Sequence, residues 1–550
     1  MTTASGDDAD PFSDSARAED PRDSIAESTL IVGRNASLTL GTDSLIVLDE
    51  ALVRREPLNC CGLLPSRSKT TRAIPFFNIL WAELSDFDLT IHHAHPVSKN
   101  VVKVAFINYN IQKTDRAQSS AWIERLLERS YGASQRRKRI KVLINPFGGQ
   151  GSAPKRFIRD IEPIFAAAHC KIEVERTQYH GHAIEIAEKL NTSAWDVVAC
   201  CSGDGIPHEV FNGFGRRADA AHALANVAVV QLPCGTGNAM SWNLNGTGSP
   251  SLAALSIVKG LKTPFDLVSV TQGPRRTLSF LSQSVGIIAE SDLGTENLRW
   301  MGSARFTVGF LVRLLGKTTY PCDIAIQLEN GDKASIKQSY RRERDYVTQS
   351  SSRRLGDQQR ERVATDQNPA PAAPTDSPSG GLPPLRFGTI QDPLPSSWAM
   401  VPHPHLGNFY AGNMCYMAAS TPVFPCAQPS DGCMDLVCMD GDVSIIKALR
   451  SFLAVENGGM MDHENVSYRK ISAFRILPKS TGQEAGKFGK LMDKWGMVRR
   501  GKKSGSKEDD GYISVDGERI PFEAFQAEVH RGLGTVLSKS GRIYEGDVLG

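Results

Sequence analysis

Three short stretches hold the residues best suited to chemistry on a phosphate: Asn145-Pro146-Phe147-Gly148-Gly149-Gln150-Gly151-Ser152, Ser202-Gly203-Asp204-Gly205 and Gly235-Thr236-Gly237-Asn238. Glycine lets the backbone approach phosphate oxygens with no Cβ in the way, and it tolerates positive φ. The helix opening at Ser152-Ala153-Pro154 would offer unpaired N–H groups and a positive dipole end. Each stretch alone is also an ordinary strand-to-helix turn; three in register along one sheet edge point to a phosphate site. Asp204 stands between two glycines after the apolar run Val197-Val198-Ala199-Cys200-Cys201. An unpaired buried charge is costly, so Asp204 reads as a base taking the proton of an attacking hydroxyl in phosphoryl transfer. The alternative is a turn aspartate capping the following helix. Glu209, in Pro207-His208-Glu209-Val210, either orders the surroundings of Asp204 or coordinates metal.

The spacings exclude common nucleotide folds. There is no Gly-x-x-x-x-Gly-Lys-Ser/Thr loop, no Gly-x-Gly-x-x-Gly after a strand, and no protein-kinase signature.

The elements that must position these loops alternate. Lys141–Ile144, Asp196–Cys201 and Val227–Leu232 read as buried strands and 153–168 as a helix, which predicts parallel βαβ units and an α/β domain over 137–273. Before it, short runs such as Thr29–Val32, Ser44–Leu48, Phe87–Ile91 and Val101–Phe106 predict a small β-rich accessory domain over 26–115, followed by a helix at 119–130. Beyond 274 the period returns to β, with strands expected at Leu278–Val285, Asp323–Leu328 and Met434–Met439. This predicts an antiparallel β-sandwich domain over 274–550. Residues 1–25 read as disordered, and the stretches 340–385 and 481–511 as unpacked inserts.

A net charge of +3, from 63 Lys plus Arg against 60 Asp plus Glu, argues against a nucleic-acid partner. The one dense basic run, Arg136-Arg137-Lys138-Arg139 with Lys141, is either a solvated linker or a patch for anionic membranes. No basic-then-apolar leader and no apolar run of spanning length occurs. Eleven cysteines without zinc spacing predict a reduced, cytosolic protein with no structural metal.

With the intervening residues included, the motifs become specific. Asn145-Pro146-x-Gly148-Gly149-x-Gly151, Ser202-Gly203-Asp204-Gly205-x-x-His208-Glu209-Val210-x-Asn212-Gly213 and Leu232-Pro233-x-Gly235-Thr236-Gly237-Asn238-Ala239 resemble the motif series of the diacylglycerol-kinase catalytic superfamily. The Ser-Gly-Asp-Gly-x-x-His-Glu form is similar to its sphingosine kinase branch. The resemblance covers roughly half the chain and implies a nucleotide-binding domain that transfers the γ-phosphate of ATP, with Mg2+, to a sphingoid base. A ceramide or diacylglycerol kinase is the alternative. It implies ATP contacts from Asn145, Pro146, Phe147, Gly148, Gly149, Gly151, Thr177, Ser202, Gly203, Gly205, Glu209, Gly235, Thr236 and Gly237. Arg299 and Arg305 would reach the phosphates, Asp516-Gly517-Glu518 would close on the nucleotide, Asp204 would be the base, and Asp292 would meet the substrate ammonium. Without the resemblance, Arg299 and Arg305 could equally be a solvated helix face. Ser291, Asp292 and Gly294 also look like the start of a helix, with Asp292 as its cap. Phe147 departs from the pattern, since a polar or basic residue is more usual in that slot.

The apolar stretch Trp300, Met301, Phe306, Val308, Phe310, Leu311 and Leu314 is either core or a slot for a lipid tail. Cys60-Cys61, followed by Arg67, Lys69 and Arg72, is either structural or a candidate S-acylation site giving peripheral association with intracellular membranes. Cys200-Cys201 reads as strand filler.

Overall fold

The computed structural model describes residues 28–32, 35–50, 71–111, 115–293, 319–357, 380–419, 421–479 and 511–545; the side chains of 149, 150, 292 and 350–357 are not described. Residues 1–25, Cys60, Cys61, Arg299, Arg305, the apolar stretch 300–314 and nearly all of 481–511 therefore lie outside the described residues. The chain forms two compact units, residues 1–94 with 105–132 and residues 95–104 with 133–550.

In the first unit, β1 (Thr29–Val32), β2 (Ala36–Leu40), β3 (Ser44–Asp49) and β4 (Thr71–Pro75) form an antiparallel meander. A second sheet holds β5 (Ile79–Leu84), β6 (Asp88–Ser98) and β7 (Val101–Asn110). Leu30, Val32, Leu38, Leu40, Leu45 and Val47 are buried, the alternation that a one-sided sheet requires. Helix α1 (Arg116–Tyr131) buries Trp122, Ile123, Leu126 and Leu127. It is fastened to both sheets: Trp122 Nε1 donates to Ser28 O at 3.0 Å and Tyr131 Oη to Leu80 O at 2.5 Å.

The second unit opens with four parallel strands, β8 (Arg139–Ile144), β9 (Lys171–Arg176), β10 (Val197–Ser202) and β11 (Ala228–Pro233), in the order β11-β10-β8-β9. Every residue of β10 and β11 is buried, as expected of a parallel strand covered on both faces. The connecting helices are α2 (153–167, with a π turn at Phe157–Ile161), α3 (His182–Lys189), α4 (Gly205–Gly215), α5 (Ala220–Asn226), α6 (Ala239–Asn245) and α7 (Pro250–Lys259). The basic run is neither linker nor open patch at three of its positions. Lys138 is buried and donates to Ser134 Oγ, Gln135 O and Val258 O. Arg139 pairs with Asp196 at 2.6 Å and Lys141 with Glu173 and Glu175 at 2.6 Å.

The rest of this unit is built on one eleven-stranded sheet, not two separate ones. Its members are β12 (Leu261–Gln272), β13 (Arg275–Ser279), β14 (Ser282–Gly286), β15 (Cys322–Asn330), β16 (Val401–His403), β17 (Leu406–Gly412), β20 (Met434–Asp440), β21 (Ser467–Pro478), β22 (Ile513–Val515), β23 (Glu518–Ile520) and β24 (Phe525–Ser538), with a side hairpin of β18 (Tyr416–Ala418) and β19 (Thr421–Pro422). The main path runs β13-β12-β24-β21-β20-β17-β14-β22-β23, and every pairing is antiparallel. Val268 from near one edge shares a core with Val285 and Ile513 from near the other, so the sheet curls until its ends face. The result is a two-layered, sandwich-like core made by one sheet.

Two expectations change. The apolar run Leu278–Val285 is not one strand: β13 ends at Ser279, β14 starts at Ser282, and the two lie far apart in the sheet. Nor is 340–385 an unpacked insert throughout. Residues Lys333–Asp357 form helix α9, with Ile336, Tyr340 and Val347 buried at the i, i+4, i+11 spacing of one helical face. Among the described residues the unit also has the helices α8 (Ile287–Leu293) and α10 (Ile445–Leu453).

Candidate active site

The strand order of the parallel sheet reverses between β8 and β10, because β9 lies on one side of β8 while β10 and β11 lie on the other. That reversal opens a crevice beyond the carboxyl ends of the strands, where open α/β sheets take ligands. Ile144 pairs with Cys201, and Ser202 with Pro233, so the three glycine stretches leave the sheet side by side. Asn145 shapes the first: its Oδ1 accepts the N–H of Phe147 at 3.0 Å and its carbonyl the N–H of Gly148 at 3.1 Å. Phe147 is 77% exposed, so the unusual side chain points away from the packed loop. Gly148–Gly151 then makes a single 3-10 turn, and Gly151 takes φ 78°.

The second and third stretches touch backbone to backbone. A Cβ on Gly235 would lie 2.4 Å from Gly203 Cα, and one on Gly203 would lie 2.9 Å from Gly237 O. Neither Gly203 nor Gly235 has positive φ; closeness is what excludes a side chain. Asn238 closes the third turn, accepting from Gly235 N–H at 3.1 Å and donating to Gly235 O at 3.0 Å.

Asp204 is half-buried at the start of α4. It caps a helix, but not the one it opens. Oδ1 accepts from Gln231 Nε2 and Met240 N–H, each at 3.1 Å, and Oδ2 from Ala239 N–H at 3.0 Å. The carboxylate is thus aimed by the N-terminus of α6 across the third loop. Oδ2 carries one hydrogen bond here and keeps acceptor capacity for a hydroxyl. Burial pushes the carboxyl upward, against the downward pull of the Ala239 and Met240 N–H groups and Gln231, with Asp516 adding upward. Gln231, a polar side chain in the otherwise apolar strand β11, is the signal that sequence reading passed over.

Glu209 serves α3 in the same manner. Oε1 accepts from Gly181 N–H at 2.9 Å and contacts His180 Nδ1 at 3.1 Å, and Oε2 accepts from Ala183 N–H at 3.0 Å. It therefore orders the loop after β9. Thr177, at the head of that loop, is buried, and its N–H donates to Ile144 O at 2.9 Å. Ser202 is buried as well, with its hydroxyl 2.7 Å from Gly203 O.

Asp516 comes from the turn between β22 and β23, yet its carboxylate is buried and taken up by five donors. Ser279 Oγ at 2.5 Å and the N–H groups of Leu281 and Ser282, each at 2.9 Å, reach Oδ1; Phe280 N–H at 3.0 Å and His208 Nδ1 at 2.8 Å reach Oδ2. This carboxylate bends the chain between β13 and β14 and ties both to α4. Its place is that of a clasp rather than of an open nucleotide contact. Burial pulls His208 down, but the bond to Asp516 and the charges of Asp516, Glu518 and Glu209 outweigh it, and the net shift is upward. Asn212 reinforces the clasp, donating to Leu278 O at 2.8 Å and accepting from Leu278 N–H at 2.9 Å. Beyond Asp516 (φ 54°) and Gly517 (φ 86°), Glu518 reaches the loops: its Oε1 would lie 3.5 Å from a Cβ on Gly205.

Residues 139–270 match the diacylglycerol kinase catalytic domain family, and residues 28–132 match a domain of unknown function (DUF7493). Sphingoid long chain base kinase 4 of Schizosaccharomyces pombe is 32% identical over 479 residues, covering 87% of this chain and 90% of that one. The chain belongs to the sphingoid long chain base kinase family. Sphingoid long chain base kinase 5 of Saccharomyces cerevisiae is 34% identical over 458 residues; the match takes in 77% of this chain and 63% of the yeast protein's length. Sphingosine kinase 1 of Homo sapiens is 28% identical over 72% of this chain and 90% of its own length. A putative diacylglycerol kinase from Bacillus anthracis str. Sterne aligns over 76% of the chain with a TM-score of 0.45 and 16% identity, a likeness too loose to bear on function.

Within this kinase family member, Asp292 falls in the last turn of α8, so it does not start a helix as its sequence neighbours suggest. Among the described residues no group of three or more His, Cys, Asp or Glu could hold a metal. Glu518 is the carboxylate beside the loops, a hard oxygen donor of the kind a magnesium ion would take.

Proposed function

We propose that this chain transfers the γ-phosphoryl group of ATP to the primary hydroxyl of a sphingoid base, giving a sphingoid base 1-phosphate and ADP. The observation that carries the reading is Asp204: a carboxylate at the sheet's reversal point, fixed by three donors, flanked by two glycine loops that touch. In this mechanism the loops after β8, β10 and β11 hold the phosphates through backbone N–H groups. Asp204 Oδ2 takes the proton from the lipid hydroxyl as its oxygen attacks the γ-phosphorus and ADP leaves. Positioning and electrostatics do the rest. Magnesium, when bound with the nucleotide, would neutralise charge building on the phosphates.

The motif resemblance assigns Asp292, which lies on α8, to the ammonium beside the reacting hydroxyl of a sphingoid base. Ile287 at the start of α8 packs with Tyr320 and Ala448, and Leu449 and Phe452 of α10 lie against them. This apolar cluster offers a wall for the hydrocarbon chain. The names of the fungal, plant and human relatives support the same substrate class.

The test is phosphorylation of a sphingoid base, ceramide and diacylglycerol by wild type and Asp292→Ala. Base-selective transfer that collapses in the variant supports the assignment. Transfer to ceramide or diacylglycerol that survives the substitution moves the substrate to the alternative. We also propose peripheral membrane attachment through acylated Cys60 and Cys61, in a cytosolic protein. Replacing both with serine should release the chain from membrane fractions without altering turnover on detergent-dispersed lipid.

A further inference from the structure

Behind the clasp, along α4 from His208 to Arg216, lies a cavity of about 140 Å³ lined by Arg216, Arg276, His208, Asn212, Ile184 and Leu278, among others. By the same measure one water needs about 10–15 Å³, so the space has room for a tetrahedral oxyanion of five heavy atoms. No acidic side chain lines it. Its two guanidinium groups come from different elements, Arg216 from the C-terminal cap of α4 and Arg276 from β13.

Arg276 is the unusual member. Its Nε donates to Ser269 Oγ at 2.9 Å, and Nη2 to Pro383 O at 2.8 Å and His530 Nε2 at 3.2 Å. All three acceptors are neutral, because burial and Arg276 itself hold His530 down at about 4. The nearest acid acting on Arg276 is Glu528, whose two oxygens are taken up by Arg386 N–H at 2.8 Å and Phe387 N–H at 2.9 Å. Among the described residues neither Arg276 nor Arg216 forms an ion pair with a carboxylate, whereas Arg217, next in the chain, pairs with Asp219 at 2.6 Å. A partly buried cation held only by neutral groups is poorly compensated. Arg276 is such a cation, and with the exposed Arg216 on the same small cavity the pair forms a receptor for a compact anion with several acceptor oxygens.

We propose that this cavity is a second anion site, specific for a phosphate group, which bridges Arg216 and Arg276 and fastens the catalytic helix to the curled sheet. Free inorganic phosphate and the phosphomonoester headgroup of a lipid share this chemistry. The site is separate from the glycine loops, and it reinforces the same junction as the Asn212–Leu278 and His208–Asp516 contacts.

The experiment uses the full chain with its nucleotide loops saturated by a non-hydrolysable ATP analogue. Thermal unfolding is followed while inorganic phosphate is titrated against chloride at equal ionic strength. A saturable rise in Tm is expected, about 1–3 °C at tenfold excess over Kd, and it should vanish in Arg216→Gln, an exposed position whose replacement leaves the core intact. Arg276→Gln should abolish it too. No phosphate-specific rise, or an equal rise in Arg216→Gln, overturns the site. Flotation with phosphatidylcholine vesicles, with and without phosphatidic acid, decides the source. Phosphatidic-acid-dependent binding lost in Arg216→Gln assigns a lipid headgroup; a phosphate response without such binding assigns free phosphate.

Discussion

At the scale of single residues, the catalytic proposal and the loop geometry make separate demands. Asp204→Asn removes the base but keeps an oxygen for one donor. Transfer should fall by about 10²–10⁴-fold while binding of an ATP analogue changes little. The same substitution removes negative charge from the N-terminus of α6, so stability should drop by about 1 kcal/mol. Single-turnover kinetics and a denaturation midpoint read the two effects apart. A variant that keeps more than a tenth of the rate would remove Asp204 as the base. Gly235→Ala tests the contact between loops. Its methyl group would meet Gly203 backbone at 2.4 Å, so the loops must separate; a displacement of about 1 Å near reacting atoms costs on the order of 10²-fold. The expected result is a folded protein with kcat lowered to that extent, and a variant of normal activity would show that the loops are free to move apart.

At the scale of elements, local signals were legible and distant ones were not. The three buried strands and glycine loops of the α/β domain each sit within one short window, and hydrophobic runs with glycine punctuation reveal them. Asp204 stood out for the same reason, an acid between two glycines after an apolar strand. Its partners did not, since Ala239 and Met240 lie 35 and 36 residues away. The split of 275–286 into two strands depends on a carboxylate 234–237 residues downstream, and no window holds both. Helix α9 was passed over because its polar composition hid three buried residues at helical spacing. The clasp gives a prediction at this level. Asp516→Asn turns a saturated acceptor into a group that also donates, facing buried N–H groups. It should cost about 2–4 kcal/mol and lower kcat through misplacement of α4, with unfolding midpoints and kcat measured on the same preparation. His208→Asn, which removes one of the five donors, should cost less. Equal stability of Asp516→Asn and wild type would show that these bonds contribute nothing.

At the scale of the whole molecule, buried titratable groups make stability depend on pH. His530 is held down at about 4 by burial, with Arg276 beside it, whereas an unfolded histidine titrates near about 6.5. Between these values the unfolded chain binds the additional proton, so stability present above about 6.5 is lost as the pH falls toward 4. His530→Gln should therefore show a flatter acid limb than wild type when unfolding free energies are compared across that range. Parallel curves would mean that His530 does not contribute.

Strand β24 lies between β12 and β21, in the middle of the curled sheet, although it is the last of the described strands in sequence. The order of synthesis follows from this. While a ribosome is still translating residues before 513, the parallel sheet and its glycine loops can form, because all their strands have emerged. The clasp cannot, since Asp516 has not yet been made, and β12 and β21 have no partner between them. The curled sheet is therefore closed only after β24 is inserted between two waiting strands, a late and non-local step of the kind that folds slowly. Nascent or prematurely terminated chains should bind nucleotide before they can phosphorylate anything.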